Sequence, residues 1–575
     1  MIHTGGSPRA GMRNPLFADV CGAGAGSVPG PAGTPNEKAN HRKGIGFVRF
    51  DGCGGSLWPL FDTGNSSLGA AIVRYLLLPA IRPRRLIVRI GRLPRETKDC
   101  LDLQYLLIYA SNFPTIQIHT SIHQRIHSMS SHTDIIRMRL SSGPLSTRQL
   151  VESIGVSQPT ISRALSAIGD EIVRIGAAQS IQYTLRDTMR GLADIPIYRV
   201  DSEGRIRKLG TLVPVRPEGF VMCQEDGVTL HSDGLPWWLF DMRPQGYLGR
   251  AYAARHGVEL GLPDRLTDWT DTHALRALLA HGNDVVGNLL LGDIARDRFL
   301  AAPVPDPIAE EQKAEEYSRL ALEAARGETA GSSAGGEQPK FTAYAMTPDG
   351  PRHVIVKFSE LEEGPVSERW RDLLLIEHLV LDTLREAGIP AAKTQILDCG
   401  SQRFLEIERF DRIGDLGRHA LFSLAALDAE FVGAGAGNWP IIARHLVDDG
   451  QIRREAADGA NLLWAFGTLI GNSDMHSGNL SFVAEHGRPY DIAPAYDMTS
   501  MTFAPRTGGG IPDIIAEATI HASVGNETWQ RAEELARAFL ARIMAATEFS
   551  HRFGTCIAAL ERHINTAGTK IGRLG

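Results

Sequence analysis

The tract Gly471-Asn-Ser-Asp474-Met-His476-Ser-Gly-Asn479, followed by Tyr490-Asp491-Ile-Ala-Pro-Ala-Tyr496-Asp497, constrains this chain more than any other. It sets a carboxylate, a carboxamide five positions later, and a second carboxylate beyond a short hairpin. Transfer of a phosphoryl group needs few parts: an Asp to orient or accept the proton of the attacking hydroxyl, and hard oxygen ligands for Mg2+ on the phosphates. Asp474 suits the base, and Asn479 and Asp497 suit the metal. Each has a plainer reading, because a lone Asn-x-Asp is usually a turn former and a lone His476 is usually a surface or core residue. Asp491 competes with Asp497 for the metal role. The order of the pieces, not any single residue, carries the expectation.

Other pieces lie upstream in the order used by protein kinases. His353-Val-Ile-Val-Lys357-Phe alternates like a strand and bears a Lys suited to phosphate. Leu373 to Leu384 reads as an amphipathic helix on which Glu377 can pair with Lys357. Phe404-Leu-Glu-Ile-Glu408-Arg-Phe410 reads as a strand leading into a connector whose backbone can hold adenine. Leu480 to Val483 and Arg488 to Asp491 read as strands around Glu485-His-Gly487. Gly331-Ser-Ser-Ala-Gly-Gly-Glu-Gln-Pro-Lys340 is small and polar enough to fold over phosphates, although a linker looks the same.

At 575 residues several domains are expected. A net charge of -6 excludes a chain that binds polyanions over its whole surface. The six cysteines form no C-x-x-C pair, which fits a reducing cytoplasm. No apolar run of about 20 residues is present, so no membrane partner is expected. Four regions follow. Residues 1–135, rich in Gly, Ala and Pro and then in basic residues, read as a disordered or spurious extension, with a basic nucleic-acid arm as the sharper alternative. Residues 136–190 are compactly patterned. Residues 191–307 mix strands with Trp-containing loops and end in Pro303-Val-Pro-Asp-Pro307. Residues 308–575 carry the constellation and end in helices.

In the second region, Ser146 to Ile154 reads as a helix capped by Ser146, Gly155-Val-Ser157 as a turn, and Ser157 to Leu165 as a second helix with Pro159 early. Leu150, Val156, Ile161 and Leu165 would share a core, while Ser157, Gln158, Thr160 and Arg163 face outwards. Gln and Arg can pair with base edges, and Ser, Thr and Arg can grip phosphates. Ile172 to Ile175 and Ile181 to Leu185 would form a wing. The order resembles a bacterial winged helix-turn-helix domain that binds double-stranded DNA. A plain packing element is the alternative.

From about Ile195 to Ile564 the chain resembles the HipA family of bacterial toxin kinases. Ser333-x-x-Gly336-x-Gln338-x-Lys340 matches the family's Gly-rich loop, and Pro244-Gln245-Gly-Tyr-Leu-Gly-Arg250 matches a block of its N-terminal subdomain. The resemblance implies a multidomain α+β chain: a winged helix-turn-helix, a β-rich N-subdomain and a mostly helical C-lobe. It implies a Ser/Thr kinase using ATP and Mg2+, with Ser333 autophosphorylated and Asp474 as base. Gly335, Gly336, Glu337, Gln338, Lys340 and Lys357 would contact ATP, and Glu408 to Phe410 would form the hinge. His476, Asn479 and Tyr496 would complete the nucleotide site, with Asn479 and Asp497 on the metal. Family substrates are aminoacyl-tRNA synthetases, but nothing in the sequence selects one, and a homodimer stays open. With a helix-turn-helix joined to the kinase, the chain resembles the stand-alone YjjJ-like branch, which puts restraint by a separate antitoxin in doubt. Two other readings are a transcription regulator whose kinase fold senses a nucleotide and a small-molecule phosphotransferase.

Overall fold

The computed structural model describes residues 131–303, 305–326, 338–435, 438–485, 487–506 and 508–574. The extension before residue 131 lies outside them, as do Ser332, Ser333, Gly335, Gly336 and Glu337 of the Gly-rich loop.

Residues 131–190 build α1 (His132–Leu140), β1 (Leu145–Ser146), α2 (Thr147–Ile154), α3 (Gln158–Ile168), β2 (Ile172–Ile175) and β3 (Gln182–Leu185). Ser146 Oγ accepts from the Gln149 amide at 3.3 Å, and Gln149 Oε1 accepts from the Ser146 amide at 2.8 Å. This reciprocal cap starts α2. Gly155, at φ 77°, stops it in the left-handed region that side chains avoid. Ile136, Leu140, Leu150, Ile161 and Leu165 form the core, with Val156 at its edge. The strands pair in the order β1-β3-β2.

A five-stranded antiparallel sheet of order β7-β6-β5-β4-β8 follows. Its strands are β4 (Ile195–Val200), β5 (Ile206–Pro214), β6 (Phe220–Gln224), β7 (Thr229–Ser232) and β8 (Leu289–Leu291). Helices α4 (Gly246–Leu260), α5 (Asp271–His281) and α6 (Gly292–Ala301) belong to the same body. The first body is fused to this sheet: Val173 and Ile175 of β2 share a core with Val213, Val215 and Val221. Backbone bonds from Asp187 to Pro214 and from Arg216 to Leu185 lock the seam.

The third body opens with α7 (Lys313–Ala325) and a sheet of order β11-β12-β10-β9. Its strands are β9 (Lys340–Thr347), β10 (Gly350–Phe358), β11 (Thr394–Cys399) and β12 (Gln402–Glu408), with α8 (Pro365–Glu386) between β10 and β11. Side chains alternate across a strand. Val354, Val356, Phe358 and Phe404 therefore pack with Tyr317 and Ala321 of α7. Leu405 and Ile407 point the other way and pack with Leu373, Ile376 and Leu381 of α8. The same alternation turns Lys357 towards α8.

A connector with the small hairpin β13 (Arg412–Ile413) and β14 (Gly417–Arg418) leads into a helical lobe. That lobe comprises β15 (Leu421–Ser423), α9 (Leu424–Leu427), α10 (Trp439–Asp448), α11 (Arg454–Leu469), β16 (Ser481–Val483), β17 (Asp491–Ile492), α12 (Asn526–Ala545) and α13 (Gly554–Ile571). Buried Trp439, Phe466, Trp529 and Phe539 anchor its core. The tight loops before β16 and after β17 leave its core towards the β9–β12 sheet.

Candidate active site

Lys357 meets two carboxylates. Its Nζ donates to Glu377 Oε1 and Oε2 at 2.7 and 2.8 Å and to Asp497 Oδ1 at 2.5 Å. Glu377 is fully buried on α8, where an unpaired charge would cost several kcal/mol. Burial pushes its carboxyl upward against the pull of Lys357. Burial alone would raise Asp497 as well, but Lys357 and the buried Lys340 hold it below the usual carboxylate value. Burial opposes charge on Lys357, and the two carboxylates overcome it, so its pKa ends above that of a free lysine. Asp497 also adopts φ 54°, one of two non-glycine residues in that region among those described. Such a backbone costs on the order of 1–3 kcal/mol and clusters at functional sites.

The Asp474 loop is built around backbone contacts. The Asp474 amide donates to Asn472 Oδ1 at 3.1 Å, and Asn479 Nδ2 donates to the Asp474 carbonyl at 2.9 Å. Asn479 is buried, and its Oδ1 accepts no hydrogen bond among the described residues. His476 Nδ1 accepts from the Gly478 amide, while its carbonyl accepts from the Trp439 indole. Tyr496 bonds to the Gly478 carbonyl at 2.8 Å and to the Ser481 hydroxyl at 2.7 Å, and its ring lies 5.6 Å from that of Phe410. Asp474 itself is exposed at the loop tip. Partial burial and the Asp497 charge raise its carboxyl above the usual value, against His476 and Lys357.

Gln338, Lys340, Asp474 and Asp497 line one cleft together with Phe358, Trp370 and Met501. Gln338 Oε1 is buried there without a partner among the described residues. Lys357 reaches this cleft through Asp497. The Phe410 and Tyr496 rings meet at a tilt of 43°, and the Glu408 side chain approaches Arg352 at 4.0 Å. Asp491 is exposed and paired with Arg453 at 2.8 Å, so of the two carboxylates only Asp497 joins Lys357. Trp370 and Leu374 were not anticipated. They precede Glu377 by seven and three residues, one helical face that the spacing would have given away.

Directly after the connector starts, Arg409 grips Asp411 through two bonds of 3.0 Å, and Arg412 joins Asp411 and Asp284 at 2.6 Å each. The Gly287 amide donates to Asp411 at 3.2 Å. This buried network ties the loop between α5 and β8 to the connector, and sequence reasoning missed it. On α3, Ser157, Gln158 and Arg163 are exposed and Thr160 is half-buried. The Ser157 and Thr160 hydroxyls bond each other at 2.9 Å, and Arg163 Nε donates to the Pro159 carbonyl at 3.2 Å.

Residues 192–300 match the family model "YjjJ-like toxin, middle domain", and residues 332–564 match "HipA-like C-terminal domain". The chain is 37% identical over 449 residues to Toxin YjjJ of Escherichia coli strain K12, covering 78% of this chain and all of that protein. Among solved structures, HipA of the Shewanella oneidensis MR-1 toxin–antitoxin system, determined with HipB and operator DNA, aligns at TM-score 0.40 and 15% identity over 66% of this chain and 97% of that one. The proinflammatory kinase CtkA of Helicobacter pylori aligns at TM-score 0.31 and 13% identity over 41% and 93%. Extensive identity along the full length of a curated relative, with both domain models matched in order, makes this chain a member of the YjjJ-like, HipA-related toxin family.

Proposed function

We propose that the chain is an ATP- and Mg2+-dependent serine/threonine protein kinase of the HipA type, carrying a DNA-binding winged helix-turn-helix on the same polypeptide. The observation that carries the reading is the convergence of Lys357, Glu377 and Asp497 beside Asp474 and Asn479. The donor set fits the metal: Mg2+ is held by one or two protein oxygens plus substrate phosphates. Asn479 Oδ1 and the ionised Asp497 supply two such oxygens. Bound with ATP, Mg2+ would neutralise charge developing on the transferred group.

The chain's own residues do the rest. Glu377 keeps Lys357 charged and aimed at the phosphates, a positioning role rather than a chemical one. Gln338 and Lys340 edge the same cleft, with Gly335, Gly336 and Glu337 preceding them in the loop that carries Ser333, the proposed autophosphorylation site. The backbone from Glu408 to Phe410 and the Phe410–Tyr496 ring pair would hold adenine. His476 shapes the loop through the Gly478 amide. Asp474 accepts the proton of the attacking serine hydroxyl, and its raised carboxyl brings it closer to the working range of a general base. On α3, Ser157, Gln158, Thr160 and Arg163 would face the DNA groove.

Labelled ATP tests the reading. Phosphate should appear on the chain at Ser333 and depend on Mg2+. No label in the wild type, or equal label in Asp474→Ala, defeats it, and ATP binding without transfer would favour a nucleotide-sensing regulator.

A further inference from the structure

A second hollow, an open groove of about 260 Å³, lies beside the Asp474 loop, lined by Trp464, Ser473, Met475, Ile515, Glu517 and His563 among others. Ser473 adjoins Asp474, and Thr502 adjoins the Met501 that lines the first cleft, so the two hollows share their walls. The volume falls below the roughly 300–1,000 Å³ of pockets that take small molecules, and suits one or two side chains.

The outer wall is unusual. Residues 511–520 form neither helix nor strand and, among the described residues, make no backbone–backbone hydrogen bond. The strip is nevertheless held: Arg369 donates to the Pro512 carbonyl at 2.5 Å, and Lys570 to the Ala518 carbonyl at 3.0 Å. Ile515 packs against Gly471, where an added Cβ would stand 2.4 Å from its Cδ1. His563 also bonds the Ala516 backbone, and the main-chain groups that remain are what an incoming strand needs, since main-chain bonds give affinity and side-chain pockets give specificity.

Resting on the kinase reading, we propose that this groove binds an extended segment of the protein substrate. The segment pairs with the 511–520 strip and seats an apolar side chain between Trp464, Met475 and Ile515. Strands rise about 3.3 Å per residue, so the seated side chain lies within about three positions of the serine presented to Asp474. Glu517, which also lines the groove, would oppose an acidic side chain there.

The full chain is given labelled ATP and a positional-scanning library of serine peptides. Label should favour Leu, Ile, Met or Phe over Asp at one fixed position within three of the serine, by at least tenfold. Ala516 is exposed in the groove wall, and Ala516→Trp, which fills the groove, should lower peptide kcat/KM about tenfold with KM for ATP unmoved. Should that variant misfold by circular dichroism, Thr519→Arg, also on the exposed wall, makes the same comparison. Peptides labelled without positional preference, unchanged kcat/KM in the folded variant, or label confined to the chain itself would each overturn the groove and leave the kinase reading standing. Neither ATP binding nor label anywhere would remove both.

Discussion

Two buried charge networks lie at either side of the connector, and they differ in kind. Around Asp411, three arginines and two carboxylates are packed with little slack. Arg409 and Arg412 hold Asp284 and Asp411 far below the ordinary carboxylate range despite burial. Burial and the neighbouring Arg412 push Arg418 down to about 9. Around Lys357 the shifts run both ways: Asp497 is held low, Glu377 and Asp474 are pushed up, and Asp497 sits in a costly backbone region. In the first network Asp284 and Asp411 each bond both Arg409 and Arg412, with Arg418 left as the surplus cation, so it reads as a clamp between the middle sheet and the connector. The second keeps an unsatisfied amide oxygen and a carboxylate at an open cleft, which is the condition for chemistry.

The contrast can be broken by substitution. Asp497→Asn should cut phosphate incorporation by three orders of magnitude or more, about 4 kcal/mol or above, while unfolding in urea changes little, because Asn tolerates the left-handed backbone. Asp284→Asn should do the reverse, losing about 1 kcal/mol of unfolding free energy, because the half-exposed Asp284 carboxylate shares Arg412 and Arg409 with Asp411. If Asp284→Asn lowered turnover at saturating ATP and left stability alone, the clamp assignment would be wrong. Arg163→Ala should weaken DNA binding by roughly 1–3 kcal/mol, read by titration at two salt concentrations. Ser146→Ala should cost about 1 kcal/mol of thermal stability through the lost cap of α2. The smallest effect is one of pH. Asp474 must be ionised to accept a proton, so kcat should fall as pH drops through its raised value, above the ordinary 3.8 of an aspartate. Ionising a carboxyl whose folded value is raised opposes folding, so this group's contribution to stability is present at acid pH and lost as pH rises through that value.

The candidate site was legible as a cluster because its parts are local. Asp474 and Asn479 share one loop, Lys357 stands in an alternating strand, and Glu377 lies on a helix whose face repeats. The clamp was not, because Asp284 reaches Arg409 across 125 residues and looks in sequence like any loop carboxylate. The 511–520 strip was equally hidden: its composition is unremarkable, and only the missing backbone bonds distinguish it. Expected strand bounds shifted for a related reason. Arg488 and Pro489 lie before β17, which pairs with β16 only from Asp491, where the register with Val483 begins.

The valine seam between β2 and the middle sheet has a practical consequence for anyone dividing this chain. Composition suggests a cut near residue 190, but Val213, Val215 and Val221 would then face water where Val173 and Ile175 had covered them. A fragment starting there would carry a bare apolar stripe and tend to self-associate. Residues 131–190 are better regarded as a cover for the middle domain than as a detachable head.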